Sequence, residues 1–314
     1  MKTILITGVA GFIGFHVAKK LIETGNKVIG IDDLNDYYDV SLKENRLNTL
    51  RKHENFKFYK EDISNEINIE ENIDIICHLA AQAGVRYSID NPSIYEKSNN
   101  LGTLRIFEYA RKKNIKKIVY ASSSSVYGNQ KETPFKEDMQ LDKPISLYAA
   151  TKKNNELMAY TYHHLFGIKM IGLRFFTVYG PHGRPDMAIF KFTKNILEGK
   201  EIEVYNNGEL YRDFTYVDDV VSGVIASLEK DFEYEIFNLA RGETIKLTRF
   251  IEAIEKATNK KAITKNKEMQ PGDVNTTSGD ITKAKKMLNY EPRTSIDEGV
   301  KRFVEWYKEY YKIK

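Results

Sequence analysis

Residues 3–14 read TILITGVAGFIG, a short apolar segment that runs into three glycines spaced three residues apart. The apolar segment predicts a strand, and the pattern over residues 12–23 predicts the helix that follows it. Gly8 permits the tight turn out of the strand, Gly11 allows close approach of a pyrophosphate, and Gly14 lets the helix pack against the sheet. Because the start of a helix presents free N–H groups, the stretch predicts a dinucleotide site.

Alternation of strand and helix continues through the first half of the chain. Further strands are predicted over residues 27–32, 56–60, 73–79, 117–122 and 169–174, and long helices over 92–113 and 148–166. The strands are near-continuous apolar runs, which is typical of a sheet covered on both faces. The pattern predicts an α/β fold with a doubly wound, parallel, Rossmann-type sheet.

An acidic residue ends the second predicted strand. Asp32 lies eighteen residues after Gly14. A carboxylate there accepts hydrogen bonds from the adenosine ribose and repels a 2′-phosphate, which favours NAD over NADP. The neighbouring Asp33 leaves the assignment between the two carboxylates open. Asp62 and Ile63, after the third strand, are candidates for contacts with adenine.

The second half of the chain breaks the alternation, which indicates a second lobe. We expect the following division: a NAD-binding Rossmann domain over residues 1–174, rejoined by about 212–240, and a smaller mixed α/β substrate-binding lobe over 175–211 and 241–314. Segments 213–217 and 235–239 are predicted as strands that return to the first sheet.

Composition argues against several classes of protein. A single cysteine precludes an intramolecular disulfide and favours a reducing, cytoplasmic compartment. The six histidines show no metal-ligand spacing, so no metal is expected. The 48 basic and 44 acidic residues give a net charge of +4, too balanced to indicate nucleic acid. No apolar run approaches the roughly eighteen residues that a membrane span needs, so no membrane partner is expected.

Residues 148–152 read YAATK, a YxxxK pair whose two functional side chains share one helix face. An ammonium beside a phenol lowers the phenol pKa from its usual value of about 10. Tyr148 is therefore a candidate general base, and Lys152 can also hold the nicotinamide ribose. The serine run 122–125 follows the fifth strand, at the edge of the sheet where ligands bind.

In this order, the motifs resemble the extended short-chain dehydrogenase/reductase family over nearly the whole chain. Four more stretches carry the resemblance: HLAAQAGVR (78–86), SNNLGT (98–103), YASSSSVYG (120–128) and RDFTYVDD (212–219). Three others resemble the UDP-glucuronate 4-epimerases within that family: IDDLNDYYD (31–39), YGPHGRPDMAIFKF (179–192) and QPGDV (270–274).

The resemblance implies NAD as cofactor, a UDP-sugar as substrate and a role in polysaccharide biosynthesis. The implied catalytic residues are Ser123, Tyr148 and Lys152. The implied cofactor contacts are Gly8, Gly11, Phe12, Ile13, Gly14, Asp32, Asp62, Ile63, Ala80, Ala81, Asn99, Tyr148, Lys152 and Phe175. Implied substrate contacts are Ser124 and Ser125 at the sugar, Thr177 beside it, Arg212 at the diphosphate and Asp273 near the uridine ribose. A homodimer through a four-helix bundle is also implied.

The serines at 124 and 125 bear on the type of reaction. Related dehydratases carry an acid pair after the catalytic hydroxyl, and related decarboxylases carry a glutamate just before VYG. Ser124 and Ser125 stand in those places, which favours 4-epimerisation. A UDP-glucose or UDP-N-acetylglucosamine 4-epimerase, a net dehydrogenase and a non-catalytic NAD-binding scaffold remain alternatives.

A uronate substrate would need a partner for its C6 carboxylate, since burying that charge unpaired is unfavourable. Arg184 is the stronger candidate, because an arginine fork matches a carboxylate, and Arg86 is the weaker one. Alternatively, Arg184 pairs with Asp186 or holds the diphosphate.

Overall fold

The structure, a computed structural model, describes residues 1–269 and 274–313. Its strands are, in chain order, β1 (Thr3–Thr7), β2 (Lys27–Asp32), β3 (Phe56–Lys60), β4 (Ile75–His78), β5 (Lys117–Ser123), β6 (Lys169–Phe175), β7 (Thr177–Tyr179), β8 (Glu201–Tyr205), β9 (Tyr211–Arg212), β10 (Phe214–Tyr216), β11 (Tyr234–Leu239), β12 (Ile245–Lys246) and β13 (Ile263–Lys267). Seven of them form one parallel sheet in the order β11-β6-β5-β4-β1-β2-β3. This is the predicted Rossmann-type arrangement. The chain crosses from one half of the sheet to the other after β3, so the strand order reverses between the neighbouring strands β1 and β4.

Helices connect and cover the strands. They are α1 (Phe12–Glu23), α2 (Val40–Leu50), α3 (Tyr87–Asp90), α4 (Pro92–Tyr95), α5 (Gly102–Lys112), α6 (Leu147–Phe166), α7 (Ala188–Glu198), α8 (Val217–Glu229), α9 (Leu247–Thr258), α10 (Thr282–Leu288) and α11 (Ile296–Tyr310). The predicted helix over 92–113 is a continuous helical segment in which a wider π-helical turn, Glu96–Leu101, joins α4 to α5. No helix of the described residues has both the length and the apolar character needed to cross a membrane.

Both faces of the sheet are buried, as the apolar strands predicted. Successive residues of β1 illustrate this: Ile4 and Ile6 belong to one core cluster and Leu5 to the other. Apolar residues of α1, α2 and α8 complete the first cluster, and those of α5 and α6 complete the second. The alternation places helices on opposite faces and leaves the carboxyl ends of the strands open.

The second half of the chain confirms one predicted return strand and corrects the other. β11 pairs in parallel with β6 at the sheet edge. The segment predicted over 213–217 does not reach this sheet: β10 pairs with β7 in a separate two-stranded sheet, and Val217 begins α8. The proposed division into a NAD-binding domain and a substrate lobe stays a prediction.

A buried ion pair holds α6 against the sheet. Arg174 in β6 donates from Nε and Nη2 to the two carboxylate oxygens of Glu156, at 2.8 and 3.0 Å. Both side chains are at most 2% exposed. Burial alone would raise the pKa of Glu156, but the Arg174 guanidinium holds it below its usual value. Ser122 in β5 donates to the same carboxylate at 2.7 Å, so Glu156 ties two strands to the helix.

We predict that Glu156→Gln lowers the free energy of unfolding by about 3–5 kcal/mol, because it leaves a buried guanidinium without its counter-charge. Glu108→Gln is the control, since Glu108 pairs with Arg111 at the surface and such pairs contribute at most about 1 kcal/mol. Chemical denaturation of both variants measures the difference, and equal losses would contradict a special role for the buried pair.

Candidate active site

A cleft lies at the carboxyl ends of the central strands, with about 1370 Å³ of empty volume including the open solvent at its mouth. Residues at or directly after the ends of β1, β2, β4, β5 and β6 contribute to its wall, on both sides of the crossover point. This is the place where open α/β sheets bind ligands. The predicted cofactor and catalytic residues that line it are Gly8, Gly11, Phe12, Ile13, Gly14, Asp32, Asp62, Ile63, Ala80, Ala81, Ser123, Tyr148, Lys152 and Phe175.

The glycine turn forms one end of the cleft. Gly8 has φ 72°, and a Cβ there would lie 2.8 Å from the backbone of Ala80, so only glycine fits between β1 and the loop after β4. Helix α1 begins at Phe12 after Gly11, which has no side chain to cap the first-turn N–H groups. The start of the helix is therefore open to an anion, as a pyrophosphate requires.

Asp32 ends β2 and lines the cleft where the adenosine ribose is predicted to bind. Its oxygens accept hydrogen bonds from the backbone N–H groups of Ala10, at 3.1 Å, and Leu34, at 3.0 Å. Burial raises the pKa of Asp32, and the Lys43 charge and the Leu34 N–H partly offset the rise. Asp33 also lines the cleft, but its carboxylate accepts from the backbone and side-chain amides of Asn35. The turn, the helix start and the acceptor together fit a dinucleotide with an unphosphorylated 2′-hydroxyl.

Lys43 is a cleft residue that the sequence analysis missed. It is 4% exposed on α2, and its Nζ donates to the backbone O and side-chain Oδ1 of Asn35, at 2.7 and 3.0 Å. Burial lowers its pKa, while Asp32 and Asp33 oppose that effect. A lysine in a polar stretch gives no signal of burial in a sequence. The signal that could have placed Lys43 near the cleft is its position eleven residues after Asp32, in the segment that leads to the next strand.

The proposed catalytic side chains meet at the centre of the cleft. Ser123 ends β5, while Tyr148 and Lys152 lie one turn apart at the start of α6. Ser146 caps this helix, since its hydroxyl accepts from the Ala149 N–H at 3.1 Å. The two elements therefore place a hydroxyl, a phenol and an ammonium on one wall.

Burial, a hydrogen bond and a nearby charge act on the Tyr148 phenol. Burial raises the pKa of Tyr148, whereas a hydrogen bond with Ser123 and the charge of Arg184 lower it. Lys152 instead donates to the Ala121 carbonyl at 3.0 Å, and burial lowers its pKa to about 8. The charge of Arg184 therefore also favours the phenolate, and the effect predicted for Lys152 stays a prediction.

Arg184 reaches the cleft from the segment after β7. Its Nε donates to Asp186 Oδ1 at 3.0 Å, and its Nη2 donates to Oδ2 at 2.5 Å. Tyr37 donates to the same carboxylate at 3.3 Å. The Asp186 charge holds the pKa of Arg184 above its ordinary value against the opposing effect of burial. The pairing with Asp186 that was one alternative is thus present, and the arginine still lines the cleft.

Several predicted residues do not line this cleft. Asn99 lies in the π-helical turn, where its side chain bonds to the backbone of Gln82 and to the Thr151 hydroxyl. It holds the loop after β4 against α6 instead of facing the cleft. The other predicted residues outside the lining are Arg86, Ser124, Ser125, Thr177 and Arg212.

Arg86 lies with its guanidinium 4.9 Å from the ring centroid of Tyr205, and Arg212 donates to the carbonyls of Tyr211 and Asn275. The predicted roles of both arginines stay predictions. Asp273 lies outside the described residues. Within the described residues, no group of three or more His, Cys, Asp or Glu side chains could hold a metal ion.

Comparison with known proteins places the chain in a family. A model of the GDP-mannose 4,6 dehydratase family matches residues 5–303, and the chain belongs to that family. It is 50% identical to the UDP-glucuronate 4-epimerase of Thermodesulfobacterium geofontis, over 97% of this chain and 96% of that protein.

Two solved structures extend the comparison. The structure of Bacillus cereus UDP-glucuronic acid 4-epimerase with UDP-glucuronic acid and NAD matches with a TM-score of 0.93 and 34% identity, covering 98% of this chain and 100% of that one. Thermotoga maritima UDP-glucose 4-epimerase with UDP-glucose matches with a TM-score of 0.89 and 32% identity, covering 98% and 99%.

We predict that Asp32→Ala weakens NAD binding by roughly tenfold to a hundredfold, because hydrogen bonds to a charged acceptor contribute about 1.5–3 kcal/mol each. The difference between the affinities for NAD and NADP should also become smaller in this variant, since the charge that repels a 2′-phosphate is gone. Asp33→Ala is the matched control and should change NAD affinity less. Calorimetric titration of both variants with both dinucleotides measures this. Equal losses of NAD affinity in the two variants would contradict the assignment of Asp32 as the ribose acceptor.

Proposed function

We propose that this protein is an NAD-dependent UDP-sugar 4-epimerase that interconverts UDP-glucuronate and UDP-galacturonate. The observation that carries the proposal is the cleft itself: a dinucleotide turn, a ribose acceptor and the Ser123–Tyr148–Lys152 group line a single cavity. Family membership and the likeness to 4-epimerases with bound UDP-sugars support it.

The chemistry that bound NAD supplies is reversible hydride transfer at C4 of the sugar, with a 4-keto sugar between the two transfers. The chain's own residues manage the proton. Tyr148 takes it from the C4 hydroxyl in one half-reaction and returns it in the other, as a general base and then a general acid. Ser123 would hold the C4 oxygen by a hydrogen bond. Lys152, buried behind Tyr148, would hold the nicotinamide ribose.

Epimerisation needs no further acid or base, which agrees with the residues after Ser123. Ser124 and Ser125 begin a short 3₁₀ turn and offer hydroxyls, not carboxylates. The Ser123 hydroxyl lies 3.2 Å from that of Ser125, and it accepts from the Ser125 N–H at 3.1 Å. The turn thus orients Ser123 without adding an ionisable group that could expel water from the sugar.

The preference for a uronate rests on Arg184. A guanidinium at the cleft wall is a suitable partner for the C6 carboxylate, and it can share its donors between that carboxylate and Asp186. Because the substrate adds a negative charge where Asp186 already lies, the arginine fork would hold two carboxylates. The diphosphate is the competing partner for Arg184.

The proposal extends to the compartment, the oligomeric state and the pathway of this protein. We propose a cytoplasmic homodimer whose subunits pair through α5 and α6, in a four-helix bundle. Large apolar side chains are exposed on these helices and the turn before them, at Leu101, Leu104, Leu157, Leu165 and Phe166. Leu157 and Leu165 lie eight residues apart and so share one helix face. The product would serve polysaccharide biosynthesis.

Tyr148→Phe is expected to keep the fold and NAD binding but to lower kcat by about two to four orders of magnitude, because it removes a positioned general base. Ser123→Ala should lower kcat less, since it removes only a hydrogen bond. Tyr160→Phe, at an exposed position of the same helix, is the control and should behave as wild type. The assay measures the interconversion of UDP-glucuronate and UDP-galacturonate without added NAD, and no net formation of NADH is expected. Near wild-type turnover by Tyr148→Phe would contradict the assigned base.

Arg184→Ala should lower kcat/KM for UDP-glucuronate by about ten- to a hundredfold more than for UDP-glucose, since it removes a charge-assisted contact worth roughly 1.5–3 kcal/mol. The smaller loss on UDP-glucose reports the effect of Arg184 on Tyr148. Arg293→Ala is the control. Like Arg184, Arg293 forms an ion pair with an acid two positions away in the chain, Glu291, but its side chain is 81% exposed. Equal losses on both sugars would assign Arg184 to the diphosphate or to Tyr148, and a wild-type preference for UDP-glucose would refute the uronate assignment.

A further inference from the structure

Arg46 on α2 is a fully buried cation that joins two loops. Its Nη1 donates to the Ala10 carbonyl and to the Tyr38 hydroxyl, both at 2.7 Å. Its Nη2 donates to the carbonyls of His182, at 2.7 Å, and Gly183, at 3.4 Å. One guanidinium therefore connects the glycine turn after β1 with the segment that precedes Arg184.

The acceptors of Arg46 are carbonyls and a hydroxyl. Within residues 1–269 and 274–313, no carboxylate forms an ion pair with it. Burying a charge without a counter-charge is unfavourable, so several well-formed hydrogen bonds must offset the loss of hydration. Only a planar fork can place two nitrogen atoms on two separate loops at once, and a lysine ammonium cannot. This geometry indicates a role in positioning the loops.

On the cofactor side, Arg46 bonds to Ala10, the residue whose N–H donates to Asp32. The Ala10 carbonyl accepts from Arg46, and the Ala10 N–H donates to Asp32 Oδ2 at 3.1 Å. The hydrogen bonds at the two polar atoms of Ala10 thus set the glycine turn and the ribose acceptor relative to each other.

On the sugar side, Arg46 fixes the residues just before Arg184. His182 adopts φ 57°, a left-handed conformation that is unfavourable for a residue with a Cβ. Gly183 follows, where a Cβ would lie 2.9 Å from the Gly180 carbonyl oxygen. The Arg46 hydrogen bonds to the carbonyls of His182 and Gly183 hold this tight turn, which aims Arg184 into the cleft.

We propose that Arg46 is a positioning residue that sets the ribose acceptor and the sugar-side arginine of the cleft at a fixed separation. It acts through Ala10 and Asp32 on one side and through Arg184 on the other. The sugar side of the proposal rests on the proposed function, whereas the dinucleotide side does not. Because Ser123, Tyr148 and Lys152 are carried by β5 and α6, which Arg46 does not bond to, Arg46 reaches the proton transfer only through the charge of Arg184 near Tyr148, and its main effect is on binding.

The first test is Arg46→Lys, which keeps the charge and loses the fork. His16 still bonds to the Pro181 carbonyl at 2.9 Å, so the segment before Arg184 stays attached to α1. We expect a circular dichroism spectrum close to wild type and a lowered Tm, because a buried ammonium cannot replace all of these hydrogen bonds. NAD affinity and KM for UDP-glucuronate should each weaken about tenfold, and kcat should stay within roughly threefold of wild type. Arg51→Lys is the matched control, because Arg51 is the C-cap residue directly after the same helix and is exposed.

Tyr38→Phe is a milder second variant, which removes one acceptor of Arg46 and leaves the arginine in place. It should shift NAD affinity and KM in the same direction by a smaller factor, and it keeps the proposal testable if Arg46→Lys does not fold. Unchanged NAD affinity and KM in a folded Arg46→Lys protein, or a lowered Tm with unchanged constants, would overturn the proposal.

A double-mutant cycle then tests the route through Arg184. If Arg46 acts by aiming Arg184, the loss caused by Arg184→Ala on UDP-glucuronate should shrink when Arg46 is already lysine. Additive losses would overturn the sugar side. Wild-type protein that does not epimerise UDP-glucuronate would instead refute the proposed function, and NAD titration of Arg46→Lys would still decide the dinucleotide side.

Discussion

The buried pair between Arg174 and Glu156 is the interaction on which the active centre depends. Glu156 lies one turn after Lys152 on α6, and its carboxylate also accepts from Ser122, the residue before Ser123. A single acidic group therefore fixes the helix that carries Tyr148, the proposed base, and the strand that carries Ser123, the proposed catalytic hydroxyl. Since the pair is removed from water, its geometry is rigid, and displacing either partner would leave an uncompensated charge.

Opposite this rigid wall, the cleft is formed by loops whose positions depend on backbone contacts. Gly8 brings β1 against the loop after β4, and the Asn99 side chain ties that loop to α6. The segment carrying Arg184 comes from beyond the sheet and is held by α1 and α2. The proposed catalytic residues thus lie on a strand and a helix, where positions are most precise, and the proposed substrate partner Arg184 lies on a loop.

The sequence predicted the sheet well because its strands are apolar and its helices end in clear signals, such as Gly25, which has φ 81° just after α1. Helix α2 was missed because Lys43 and Arg46 occupy its buried face, so apolar periodicity is weak there. β13 was also missed, since its residues are exposed and polar. Of the candidate site, glycines, acids and the YxxxK pair were predictable from local spacing. The contacts of Arg46 and Asn99 were not, because they depend on segments distant in the chain. Lys43 bonds to Asn35, eight residues away, but its burial has no signal in a polar stretch.

The late return of β11 has a consequence for synthesis of the chain. β6 ends at Phe175, but its outer neighbour begins only at Tyr234. While the intervening residues emerge from the ribosome, β6 presents a row of unpaired N–H and C=O groups along a strand rich in buried apolar side chains. A polypeptide that ends between β6 and β11 would keep β6 as an unpaired edge strand. We therefore expect residues 1–175 to depend on the segment that follows them, because that segment supplies the strand that covers this edge.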